Sequence, residues 1–249
     1  MSERQGRADR GKGPLILAVD TATELASWAL WQGGRLVGER LAEAGRPTAE
    51  TLLPALDALL GAFAVTLDEV EGFAVSIGPG SFTGLRIGVA TVKGLAFEPV
   101  RPAVAVPTLA ALAAHATPAE HVAAVLDARR GEVYAAGFDA APDGGLAPAD
   151  WLPEGVVRAA DLPARLPAGC RVVGEPGPEA DAVLAAAGVA VRTPPHAAST
   201  ARHVAVLGER AFAAGEAAAA AALVPRYVRR AEAEVKRTGE RFEACRELL

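Results

Sequence analysis

Leu15-Ile16-Leu17-Ala18-Val19-Asp20 is a short apolar run closed by an aspartate, and His121-Val122-Ala123-Ala124-Val125-Leu126-Asp127 repeats it in the second half of the chain. Continuous apolar runs of this length read as strands buried on both faces, Leu15–Val19 and His121–Asp127. Working outward from the first, Ala26–Trp31 and Leu36–Leu41 are strands joined by the tight turn Gln32-Gly33-Gly34-Arg35. Apolar residues at Leu52, Leu53, Leu56, Leu59 and Leu60 predict a helix over Thr48–Leu60, with Pro54 inside it or just past its start. Phe73–Ile77 is a strand, Gly78–Ser81 a loop, Thr83–Phe97 a helix, Ala103–Val106 a strand and Thr108–Ala116 a helix.

Outward from the second run, Arg129-Arg130-Gly131-Glu132 is a turn and Val133–Phe138 the return strand. Val156–Arg158 is a third strand, Asp161–Leu166 a helix capped by Asp161, and Arg171–Val173 a strand. Glu179–Ala187 is a helix, Val189–Arg192 a strand and Ser199–Ala214 a long helix; the alanine tract Ala217–Ala222 reads as its continuation or a linker. Both halves carry the order βββαβαβα. This α/β duplication is the architecture of the actin-like ATPase superfamily (the ASKHA, RNase H-like fold), two lobes with a cleft between them. The expected division is a disordered tail over 1–13, a first lobe over 14–106, a second over 107–215 and a C-terminal tail over 216–249.

The chain has 249 residues, 51% of them hydrophobic and 5% aromatic, so an aliphatic core is well supplied and global disorder is excluded. A net charge of −5 argues against a dedicated nucleic-acid binder, which normally shows a basic face. No segment approaches the ~18–20 apolar residues of a membrane span. Residues 1–13 mix both charge signs without an apolar core, unlike a signal peptide. Two cysteines, Cys170 and Cys245, make no disulfide or metal framework and read as reduced, inert thiols. A cytoplasmic location follows.

The strongest local signal is the run from Ile77 to Gly88, IGPGSFTGLRIG. Gly78 and Gly80 permit unusual backbone angles, and Ser81 or Thr83 caps the helix that follows. Two readings stand: an anion cradle at a helix N-terminus, or a tight strand-to-helix connection with no ligand. Beyond it, Gly84 and Gly88 share one helix face, which serves either close packing inside the lobe or a subunit interface. Asp20 and Asp127 end the opening strands of the two lobes. As a facing pair they would hold a Mg²⁺–nucleotide, with Arg129 beside them; otherwise each closes a turn. Against a nucleotide, Glu175, Glu179 and Asp181 crowd the second-lobe loop, and Pro176 and Pro178 replace glycines there. The four histidines, His115, His121, His196 and His203, form no HxxxH or HExxH pair, and no Ser/His/Asp order marks a hydrolase. Residues 226–241 hold six basic and three acidic side chains, a solvated tail or a contact for RNA or an acidic surface.

Five blocks together resemble the TsaB family, also called YeaZ: ILAVDTAT at 16–23, GPGSFTGLRIG at 78–88, KGLA at 93–96, LDARRGEVY at 126–134 and PRYVRRAEAE at 225–234. The resemblance implies a bacterial, cytoplasmic subunit of the machinery that makes threonylcarbamoyladenosine in tRNA. It implies a non-catalytic paralogue of the catalytic TsaD, without cofactor or metal. TsaD-like proteins carry an HxxxH pair in the first lobe; here Arg46-Pro47-Thr48-Ala49-Glu50-Thr51 has no histidine. It further implies a heterodimer with TsaD through the first-lobe helices, a homodimer when alone, TsaE as a third subunit and only indirect contact with tRNA. On that basis the expected interface is Leu52, Leu56, Leu59, Gly84, Gly88 and Val92. The competing expectation on the same fold is an active kinase or ATPase acting on a small molecule.

Overall fold

The computed structural model describes residues 12–193 and 199–228. The expectations for residues 1–11, His196, Cys245 and the basic stretch beyond Val228 lie outside the described residues.

The first half runs β1 (Leu15–Asp20), β2 (Ser27–Gln32), β3 (Arg35–Leu41), α1 (Thr48–Ala62), β4 (Gly72–Gly78), α2 (Phe82–Leu95), β5 (Pro102–Pro107) and α3 (Thr108–Ala113). The second runs β6 (His121–Arg129), β7 (Glu132–Ala140), β8 (Leu146–Pro148), β9 (Gly155–Arg158), β10 (Arg171–Glu175), α4 (Pro178–Ala186), β11 (Val191–Arg192) and α5 (Thr200–Ala213), followed by β12 (Ala218–Ala219). One sheet has the order β12-β5-β4-β1-β2-β3, and the other β11-β10-β6-β7-β8 with β9 also on β7. In each, the opening strand pairs antiparallel with the next strand and parallel with a later one. Each opening hairpin turns on two residues with positive φ, Gly33-Gly34 (56° and 78°) and Arg130-Gly131 (60° and 69°), the geometry of a two-residue type I′ loop. The fold is therefore a mixed α/β pair of actin-like lobes.

Strand alternation decides what covers each face. Along β1, Leu15, Leu17 and Val19 join the core beneath α1 and α2, while Ile16 and Ala18 face α5. Along β6, Ala123 and Val125 meet α4, while Val122, Ala124 and Leu126 meet α3. The inner helices are thus exchanged: α3, following first-lobe strands, lies on the second sheet, and α5, following second-lobe strands, lies on the first. The small stripe Ala201, Ala205 and Gly208 allows this approach, since a Cβ at Gly208 would stand 2.6 Å from that of Ala74. Polar ties seat α5: its Ala201 amide donates to Ser27 Oγ (3.2 Å), and Glu209 accepts from Trp31 Nε1 and the Gly34 amide (both 2.8 Å).

Three sequence expectations differ from this structure. The helix expected over Asp161–Leu166 is two 3₁₀ turns, Ala159–Asp161 and Pro163–Arg165, because Pro163 and Pro167 bracket too few residues for an α-helix. The strand expected over Val189–Arg192 is confined to Val191–Arg192. The alanine tract is not helical: Gly215, at φ 77°, ends α5, and Ala218–Ala219 then pair with β5. Among the described residues no helix is long and apolar enough to cross a membrane.

Candidate functional site: the interlobe cleft and the glycine loop

A cleft of about 880 Å³ lies between the lobes, walled by Thr21, Glu24 and Ser81 on one side and Asp127, Arg129 and Glu175 on the other. Thr48, the first residue of α1, also lines it, as do Phe82 and Asp181. The Glu24 amide donates to Glu175 Oε2 across the gap (3.0 Å).

Asp20 does not face this space. It is fully buried, and its carboxylate accepts from the Thr23 hydroxyl, the Thr23 amide (3.4 Å) and the Ala22 amide (3.3 Å). Burial pushes its carboxyl above the ordinary value, opposed by hydrogen bonds from Ser76, Thr23 and Ala22. The expected facing pair of aspartates is thereby corrected: Asp20 closes its own turn, because that turn wraps inward. Asp127 does reach the cleft, but it is engaged by Arg129, whose amide donates to Oδ1 at 2.6 Å and whose Nη1 lies 3.1 Å from Oδ2. Arg129 adopts φ 69° and leaves its side chain 84% exposed at the hairpin tip.

The glycine loop is likewise turned into its own lobe. Gly78, at φ 123°, donates its amide to Thr108 Oγ1 (3.1 Å). A Cβ at Gly80 would stand 2.4 Å from the Ala22 carbonyl oxygen, which also accepts the Ser81 amide (2.9 Å). Ser81 caps α2 by accepting from the Gly84 amide (3.2 Å). Of the expected loop, the Gly78 and Ser81 amides are thus engaged inside the protein, as is that of Gly84, and the carboxylates of Glu175 and Asp181 share the cleft wall with Arg129 and Arg130. The tight strand-to-helix connection is what this loop builds.

The six expected interface residues also point inward. Leu52, Leu56, Leu59 and Val92 are buried in the first-lobe core. A Cβ on Gly84 would lie 1.9 Å from the Thr21 carbonyl oxygen, and one on Gly88 would lie 2.2 Å from Thr21 Oγ1. The shared glycine face exists so that α2 can press on the turn after β1, which corrects the interface expectation. Sequence reasoning missed the exposed apolar residues beside this core, Leu53 on α1 at 52% exposed and Phe97, in the turn after α2, at 75%. The available signal was doubling: Leu52-Leu53 and Leu59-Leu60 give α1 more apolar faces than one core contact needs.

His115 and His203, distant in sequence, meet across the α3–α5 seam with ring centroids 4.0 Å apart. Desolvation pushes them down to about 4 and about 3, helped by Arg202, so both are neutral near pH 7. Among the described residues no group of three or more His, Cys, Asp and Glu is placed to hold a metal ion. Burial pushes the Cys170 thiol up to about 11, which suppresses its thiolate.

This is a two-lobed actin-like protein with an interlobe cleft bordered by the glycine loop. A family model described as "TsaD: tRNA N6-adenosine threonylcarbamoyltransferase" matches residues 42–237. The chain is 40% identical to the tRNA threonylcarbamoyladenosine biosynthesis protein TsaB of Escherichia coli (strain K12) over 122 residues, 48% of this chain and 52% of that protein. It is 32% identical to the protein of that name from Bacillus subtilis (strain 168) over 146 residues, 55% and 64% of the two chains. These matches span about half to two-thirds of the curated relatives' length. A solved structure of YeaZ from Pseudomonas aeruginosa superimposes with a TM-score of 0.70 at 32% identity, covering 86% of this chain and 99% of that one. The chain belongs to the TsaB (YeaZ) family, a relative of the TsaD transferases.

Proposed function

We infer that this chain is a non-catalytic supporting subunit in the biosynthesis of threonylcarbamoyladenosine in tRNA, acting by pairing with the catalytic TsaD-type transferase. The observation that carries this is the glycine loop. The amides of Gly78, Ser81 and Gly84 are satisfied by Thr108, Ala22 and Ser81, so these three are turned into the lobe rather than offered to a phosphate as in a phosphate loop. This separates the reading from an active kinase on the same fold.

The partner surface is the outer face of α1 and α2 rather than their buried stripe. Leu53 on α1 and Phe97 and Val100 in the turn after α2 expose apolar area beside it, and Ala90 and Gly94 keep the outer side of α2 flat. In the absence of the transferase the same face pairs two copies of this chain about a two-fold axis. A TsaE-type subunit completes the assembly, and tRNA is met through the transferase.

The test is reconstitution of tRNA modification from purified components with and without this chain, alongside calorimetry of the isolated chain with Mg-ATP. The expected result is product only when the transferase is present, more of it when this chain is added, and no ATP turnover by the chain alone. Turnover or tRNA product from the isolated chain would overturn the reading.

A further inference from the structure

The segment Leu223–Val228 follows β12 and belongs to neither sheet. Its start is fixed to the first lobe, because Leu223 is buried in the core beneath α1 and α2. The Arg226 amide then donates to the Ile77 carbonyl at 2.6 Å, at the end of β4. A Cβ on Gly78 would stand 2.3 Å from the Arg226 carbonyl oxygen, so the glycine is what lets the segment lie against the strand. Tyr227 packs on Phe82 with centroids 4.8 Å apart, and its hydroxyl accepts from Arg86 Nε at 2.9 Å. The Arg86 guanidinium covers the Phe82 ring at 4.0 Å.

The Arg226 side chain reaches the other lobe. Its Nη1 donates to Glu154 Oε2 at 3.2 Å, and its Nη2 stands at ion-pair distance from Oε1, 2.8 Å, so one hydrogen bond and one close charge contact join the two side chains. Glu154 immediately precedes β9 of the second sheet and is only 17% exposed. Burial raises its carboxyl and Arg226 opposes that shift, so the half-buried carboxylate relies on the guanidinium beside it to stay charged. Phe82, beneath the segment, is itself part of the cleft wall.

We propose that residues 223–228 are a latch between the lobes, in which the hydrogen-bonded ion pair of Arg226 with Glu154 holds the cleft at its present width. Opening the cleft separates a first-lobe anchor from a second-lobe acid, and the pair breaks as a unit. The Glu24–Glu175 hydrogen bond is a second crossing link, but it is exposed and offers less resistance.

The test uses the full chain with Cys170→Ala and Cys245→Ala, carrying spin labels at Thr48→Cys and Asp181→Cys on opposite cleft walls. Pulsed electron resonance reads their separation, and hydrogen exchange reads the Arg226 amide. With the latch intact, one narrow distance distribution is expected. Arg226→Gln and Glu154→Gln each broaden it toward longer distances and reduce Arg226 amide protection about tenfold or more. The charge swap Glu154→Arg/Arg226→Glu narrows it again. If both glutamine variants fold and keep the original distribution, the segment merely packs on the first lobe and the proposal is overturned. If either glutamine variant does not fold, Arg226→Met decides, since it keeps an extended stem and removes the charge: broadening supports the latch, and an unchanged distribution sinks it.

Discussion

Gly88→Ala tests whether the glycine face of α2 serves the lobe interior. In a helix interior this change normally stabilises by about 1 kcal/mol. Here the new Cβ would stand 2.2 Å from Thr21 Oγ1, more than 1 Å inside ordinary contact. Thr21 is 2% exposed and its carbonyl presses on Gly84, so it has little room to retreat. Overpacking a rigid core costs about 1–3 kcal/mol, and this contact belongs at the upper end. The clash wins over the propensity gain, and the net loss is about 2 kcal/mol. For a chain of this size that lowers the midpoint of thermal unfolding by about 4–8 °C. Thr21→Ala removes the obstructing oxygen, which has no hydrogen-bond partner of its own. In the double variant the nearest remaining atom of residue 21 is its Cβ, at 3.3 Å, so the penalty of Gly88→Ala largely disappears. Denaturant unfolding of the four proteins in the cycle is therefore expected to return a coupling of about 3 kcal/mol, the size of the relieved clash. A Gly88→Ala protein as stable as its parent, or additive effects in the double variant, would refute the packing argument.

Gly94→Ala is the control on the same helix: nothing lies within 4 Å of its Cβ position, so a stabilisation of about 0.5–1 kcal/mol is expected by the same unfolding assay. The His115–His203 pair makes stability pH-dependent. Folded values of about 4 and about 3 lie below the unfolded 6.5, so the unfolded chain binds more protons as pH falls from about 6.5. Stability is then complete above that pH and lost on acidification, by up to about 1.4 kcal/mol per pH unit for each histidine. His203→Gln is expected to flatten the slope by that amount between pH 6 and 4.5, measured by denaturant unfolding at each pH. Phe97→Asp and Leu53→Asp, at exposed positions, are expected to leave the unfolding midpoint within about 2 °C and to weaken capture of the TsaD-type transferase at least about tenfold. Loss of stability without loss of capture would place these side chains in the lobe rather than at its surface.

Much of the fold was legible because its signals are local. The runs ending at Asp20 and Asp127 announce central strands, and the Gly33-Gly34 and Arg130-Gly131 dipeptides announce their hairpins. Periodicity reports that a face is apolar, not what covers it. For that reason α1 and α2 were found while their inner and outer faces were exchanged, and Leu52, Leu56 and Val92 went to an interface they do not form. The glycines of α2 were ambiguous for the same reason: a missing side chain marks a close approach, and only Thr21 at the far end of β1 says to what. Asp20 was misplaced because a strand-ending aspartate serves a ligand or its own turn with the same sequence. The His115–His203 contact depends on two helices from different halves of the chain, and no spacing rule reaches that far.

The exchange of α3 and α5 carries a consequence for how the chain is made. When β5 leaves the ribosome, the first sheet still lacks the helix that covers Ile16, Ala18, Ala29 and Ala74. That helix is about ninety residues further on, so at ~5–20 residues per second the inner face waits about 5–19 s for its cover. Throughout that interval an alanine- and isoleucine-lined sheet surface stays open to chaperones and to neighbouring chains. The two halves expressed as separate fragments inherit the same vacancy permanently. Soluble material is expected only when both are produced together, each delivering the helix that the other's sheet requires.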